Sequence, residues 1–118
     1  MADMNSRVML TMLLDFYGPL LTEHRQELMR LYCEEDLTQQ EIAVQLEITR
    51  QGVSDGILKS KQKLEAYESK LGLVARYRAQ MADVEQCMAA LRRMTPSEAD
   101  RPALNEAMDA LTRVLKDQ

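Results

Sequence analysis

Apolar positions recur at three- and four-residue steps along almost the whole chain, and that spacing predicts helices rather than strands. Met9, Met12, Leu13, Phe16 and Leu20 form one such stripe, so a first helix is expected from about Met4 to Tyr17. Gly18-Pro19 ends it, because proline cannot extend the hydrogen-bond ladder and restricts the residue before it. A second helix is expected after Thr22, a good N-cap, with Glu23 at the positive end of the macrodipole. Leu28, Leu31 and Tyr32 would face inward, and the acidic run Glu34-Glu35-Asp36 opposes the C-terminal dipole and stops the helix.

Thr38-Gln39-Gln40-Glu41 is a capping box, in which the Thr hydroxyl takes the amide three residues on and the Glu reaches back. It opens a third helix with Ile42, Ala43 and Leu46 inward. Thr49 caps a fourth, whose stripe runs Val53, Ile57, Leu64, Tyr67 and Leu71, with Lys70 and Gly72 as a C-terminal stop. Beyond it Val74, Tyr77, Met81, Val84, Met88 and Leu91 step alternately by three and four, which is heptad spacing and a candidate dimerisation seam. Packing against the chain's own last helix is the alternative for this seam. Thr95-Pro96-Ser97-Glu98 offers a cap, an N1 proline and a capping-box Glu. Pro102 then suggests a separate first turn ahead of the stripe Leu104, Met108, Leu111 and Leu115. Two arrangements fit: a break at Gly72 followed by a helical hairpin, or one long helix from Thr49 to Met94. The expected fold is all-α, a helix-turn-helix domain over residues 1–72 followed by a C-terminal helical hairpin over residues 73–118.

Composition agrees with this pattern. Only three prolines and four glycines interrupt 118 residues, and Leu, Ala, Met, Glu, Gln, Lys and Arg dominate. The nine methionines suit helix packing and core filling. No apolar run is long enough to span a bilayer, and Met1 to Arg7 do not read as a secretory leader. Cys33 and Cys87 are isolated, unlike a disulfide framework or a metal site. A cytoplasmic protein without direct membrane insertion is expected.

Residues Glu41 to Leu58, E-I-A-V-Q-L-E-I-T-R-Q-G-V-S-D-G-I-L, have helix-turn-helix spacing. Ala43 is small enough for two helices to cross, Ile48 plugs the turn, and Val53 and Ile57 fix the second helix against the first, leaving its other side outward. At roughly 100° per residue, Asp55 lies about 200° around from Val53 and points away from the core. Thr49, Arg50, Gln51, Ser54, Asp55, Lys59, Lys61 and Lys63 are therefore the candidate nucleic-acid or partner-binding residues, with Gly52 and Gln62 on the same face.

Charge changes the meaning of that surface. The chain is acidic, with a net charge of −4, so nucleic-acid binding needs locally concentrated cations. From Thr22 to Ile48, two arginines stand against seven carboxylates. From Thr49 to Leu71, Arg50, Lys59, Lys61, Lys63 and Lys70 exceed Asp55, Glu65 and Glu68. A modest basic ridge thus rises from an acidic body, and a solvated face with ordinary i,i+4 pairs is the competing reading. Gly52 and Gly56 also weaken the helix by up to about 1 kcal/mol each. No residue set argues for catalysis, a metal or a cofactor: His24 has no second His or Cys near it, and no phosphate-binding glycine loop exists.

Three separated motifs now carry a resemblance. Asp15 to Thr22 (D-F-Y-G-P-L-L-T), Glu41 to Asp55 and Leu64 to Leu73 (L-E-A-Y-E-S-K-L-G-L) together resemble the YlxM family of small bacterial helix-turn-helix proteins, over about the first seventy-five residues. That resemblance implies a fold like the DNA-reading end of sigma factors. It also implies a regulator or accessory factor of the signal recognition particle pathway, with a protein or RNA component of the particle as partner. Glu47, where many helix-turn-helix units place glycine, and Asp55 depart from a DNA reader's pattern. The expected function is therefore non-enzymatic docking of a protein or ribonucleoprotein through the fourth helix. The alternative is a dimeric DNA-binding transcriptional regulator.

Overall fold

A computed structural model describes residues 2–116, with side chains from residue 7 onward. The expected start of the first helix at Met4 falls where only backbone is described, and part of the polar stretch Met1 to Arg7 lies outside the described residues. Six helices follow in order: α1 (Ala2–Tyr17), α2 (Glu23–Cys33), α3 (Gln39–Leu46), α4 (Arg50–Leu71), α5 (Leu73–Arg92) and α6 (Arg101–Lys116). Among the described residues there is no strand. No helix is long and apolar enough to cross a membrane. The chain forms two compact units that meet after Val74.

The first unit is a helix-turn-helix domain with its core at the meeting of α1 to α4. Leu10, Leu13, Tyr17, Leu21, Leu28, Met29, Leu31, Ile42, Val53, Ile57, Leu64 and Val74 are all buried there. The side-chain caps explain where the helices begin. Arg25 N donates to Thr22 Oγ1 at 3.3 Å, and Gly52 N donates to Thr49 Oγ1 at 2.9 Å. The capping box forms completely: Glu41 N donates to Thr38 Oγ1 at 3.1 Å, and Thr38 N donates to Glu41 Oε1 at 2.8 Å. α3 ends on Glu47, which is held in the left-handed conformation at φ 57°. There Ile48 N turns back to Ala43 O at 3.1 Å.

Three expectations about the core need correcting. The inward stripe of α1 is Leu10, Leu13 and Tyr17, while Met9, Met12 and Phe16 only flank it. Leu20 is 54% exposed, because the 3-10 turn over Gly18–Leu20 changes the phase and sends Leu21 inward in its place. Leu71 continues the stripe of α4 but is exposed, since the core ends below it.

Gly56, read from sequence as a cost to the helix, is where α4 crosses α2. A Cβ at this position would stand 2.5 Å from Leu28 Cδ2, so glycine allows the approach with Leu28 where it is, and any other residue requires that side chain to shift. One turn on, Ser60 is wholly buried, extending the close crossing.

Gly72 breaks the chain between α4 and α5, with φ 62°, so a continuous helix from Thr49 to Met94 does not form. A side-chain cluster secures the new start. The Tyr17 hydroxyl donates to Glu68 Oε1 at 2.6 Å and accepts from Leu73 N at 3.1 Å. Val74 N donates to the same Glu68 oxygen at 3.0 Å. The first two amides of α5 are thus satisfied by groups of the helix-turn-helix domain. Burial, reinforced by the bond to Glu68, raises the Tyr17 pKa above its usual value.

The second unit is a helical hairpin. Its α6 does not begin with the box Thr95-Pro96-Ser97-Glu98. Such a helix would carry Pro102 in its second turn, where the ring clashes with the carbonyl of Glu98 and breaks the ladder. Ser97 instead caps a turn, its Oγ accepting from Asp100 N at 3.3 Å, and α6 starts at Arg101 with Pro102 safely in the first turn.

The candidate docking surface on α4

α4 is held by its inner side. Val53, Gly56, Ile57, Ser60 and Leu64 are buried against the other helices. Gln51, Ser54, Asp55, Lys59, Gln62 and Lys63 are exposed on the opposite side, and Arg50 is exposed at the helix start. The turn positions this surface: Thr49 spends its hydroxyl oxygen on Gly52 N, so its first role is as a cap. A Cβ on Gly52 would lie 3.1 Å from that same oxygen, which accounts for glycine here.

Lysines expected to act alike do different things. Lys59 Nζ pairs with Asp55 Oδ2 at 3.1 Å, one helical turn back, so the acid and the base at the centre of the outward face offset each other. Lys61 leans away from that face and lies over the ring of Tyr32, with Nζ 6.0 Å from the centroid. It is half-buried against the body, so Lys61 does not join the outward face. Arg7 approaches the same ring at 5.5 Å and pairs with Asp36 at 2.8 Å. Burial raises the Cys33 thiol pKa, outweighing the pull of Arg7 and Lys61. Among the described residues, Arg50, Lys63 and Lys70 make no ion pair, and they carry the remaining positive charge of α4.

One residue was missed in the sequence. Leu58 is 54% exposed about 140° around from Val53, on the outward face among the polar groups. Its angular position was available from the helical period alone. Behind the surface, Arg30 grips Glu27 with two bonds of 2.9 and 2.8 Å, which hold the Glu27 carboxyl below its usual pKa. His24 is exposed in the first turn of α2.

The residues expected to form a dimerisation seam divide. Val74 is 1% exposed and belongs to the core of the helix-turn-helix unit, so it is not available to a seam. Met88 is buried, while Tyr77, Met81, Val84 and Leu91 are half-buried.

Relatives follow most of the chain. Residues 4–100 match the family described as "helix-turn-helix protein, YlxM / p13 like". The match therefore runs well beyond Leu73 and takes in α5. The chain is similar to a UPF0122 protein of Symbiobacterium thermophilum, with 40% identity over 86% of this chain and 91% of the relative. It is also similar to one of Desulforamulus reducens, at 36% identity over 91% of each. A third relative, from Halalkalibacterium halodurans, is 37% identical over 84% of this chain and 90% of its own. With the fold, the capping box and the turn in place, the chain belongs to the UPF0122 family of YlxM/p13-like helix-turn-helix proteins.

Proposed function

We propose that the protein is a regulatory or accessory factor of the signal recognition particle pathway, docking a protein or ribonucleoprotein component through the outward face of α4. The observation that carries this reading is the Asp55–Lys59 pair at the centre of that face. A major-groove reader presents donors and uncompensated cations to phosphate, whereas here the central charges cancel beside an exposed leucine. The pathway itself rests on family resemblance. The chain works as a homodimer joined through its hairpin, in the cytoplasm.

A pull-down with the purified particle protein and its RNA tests the reading. One component should be retained by the wild type and lost with Arg50→Glu combined with Lys63→Glu. Retention of neither at low salt overturns it.

A second reading is favoured by the start of α4, where exposed Arg50 and Gln51 stand beside a capped N-terminus. In it, the dimer places two copies of α4 in adjacent major grooves. The log of DNA affinity should then fall steeply with the log of salt, and Asp55→Ala should tighten non-specific binding by releasing Lys59. Flat binding to genomic fragments at low salt disposes of it.

A further inference from the structure

A groove with a volume of about 400 Å³ runs between the end of α1 and the length of α2. Leu14 and Pro19 form its apolar side, while Glu23, Glu27, Arg30 and Glu34 of α2 form its charged side. Those four recur at steps of four, three and four residues, which sets them in one row along the helix. At the end near the 3-10 turn, Leu20 is 54% exposed next to Pro19 in the chain and extends the apolar surface.

The charges in this row are not equivalent. Arg30 gives two bonds, of 2.9 and 2.8 Å, to Glu27 and has Glu35 at 3.9 Å as a second acid, so it offers little to the rest of the row. Glu23 and Glu34 are exposed and make no ion pair among the described residues. They stand eleven positions apart, about 16 Å along the helix axis, with the neutralised Glu27–Arg30 pair between them. One metal ion cannot bridge that span, and among the described residues no acidic, His and Cys side chains converge as a metal site. The groove thus presents an apolar strip between two uncompensated carboxylates, a surface that repels the phosphates of nucleic acid.

We infer that this groove docks an amphipathic helix of a partner protein that carries lysine or arginine at both ends of its apolar face. A helix laid along α2 returns a side chain to the same line every eleven residues, so cations three turns apart reach Glu23 and Glu34 together. The apolar side chains between them meet Leu14 and Pro19 and supply the burial that two exposed ion pairs lack. This site stands apart from the docking face of α4, because it is built by α1 and α2 and carries the opposite charge.

The test uses the full chain and a fluorescent helical peptide of about four turns, with lysines eleven positions apart and leucines between them on the same face. Anisotropy at low salt should show binding. Glu23→Gln with Glu34→Gln should weaken it about three- to ten-fold at unchanged helicity. The same loss of charge on α6, by Glu106→Gln with Asp109→Asn, should leave binding unchanged. A peptide with alanines in place of the leucines should bind several-fold more weakly. The inference is overturned if the wild type does not bind, if the α2 variant loses nothing, if the α6 variant loses as much, or if the alanine peptide binds equally well. Should the α2 variant unfold, a photocrosslinker at the peptide's central leucine decides. Capture within residues 14–34 supports the groove, and capture elsewhere overturns it.

Discussion

The helix-turn-helix unit and the hairpin are made from the same residue types at the same helical period, yet they solve burial differently. The first has four helices around one core, and its crossing points are relieved by Ala43, Gly56 and Ser60, each buried. The second has two helices and, among the described residues, one buried side chain, Met88. An amphipathic stripe specifies a helix in either unit. Whether the stripe also specifies a closed core depends on how many other elements can reach it, and on small residues that let them come close.

Truncation in the two units measures that difference most directly. Leu28→Ala removes a wholly buried side chain under the α2–α4 crossing and should cost about 2–5 kcal/mol in urea unfolding. Leu111→Ala in the half-buried stripe of α6 should cost about 1 kcal/mol at high dilution. Equal losses would break the comparison. Next, Gly56→Ala should destabilise by about 1–3 kcal/mol despite alanine's better helix propensity, because the new methyl would stand 2.5 Å from Leu28 Cδ2 and a wholly buried side chain would have to shift. A gain in stability would mean that the crossing is looser than its geometry.

Smaller effects sharpen the picture at single positions. Glu47→Gly should stabilise the first unit by about 1 kcal/mol, since glycine takes φ 57° without strain. Ser60→Ala should be neutral or stabilising by up to about 1 kcal/mol, because the buried hydroxyl has no hydrogen-bond partner among the described residues. The Tyr17 prediction concerns alkaline pH. Its folded pKa is raised, so its contribution is fully present below the ordinary value of 10 and is lost as pH rises through the folded value. Tyr17→Phe should remove that part of the alkaline fall, read as a flatter dependence of the thermal midpoint on pH above about 10.

Local chemistry was the most legible part of the fold. The capping residues Thr22, Thr38 and Thr49, and the stop at Gly18-Pro19, were readable because each acts within a few residues of itself, whereas the break at Gly72 stood beside a continuous helix as an equal alternative. Legibility fell where a distant element decided the outcome. Gly56 reads as a helix defect until Leu28 is placed opposite it, 28 positions earlier in the chain. Val74 fits a heptad perfectly well in sequence, but Tyr17 and Glu68 draw its helix start into the first unit. On α4 the outward positions of Gln51, Ser54, Asp55, Lys59 and Lys63 followed from the helical period. That Lys61 would turn to Tyr32 did not, because the ring belongs to another helix.

The shared oxygen of Glu68 has a practical corollary for anyone cutting the protein in two. A fragment ending at Gly72, the natural place to stop on sequence grounds, would remove both amide donors from Tyr17 and Glu68 and strand a phenol and a carboxylate at the rim of the core. It would also take away Val74, a buried member of the core. An autonomous version of the helix-turn-helix half therefore has to keep the first turn of the next helix, as a keystone borrowed from its neighbour.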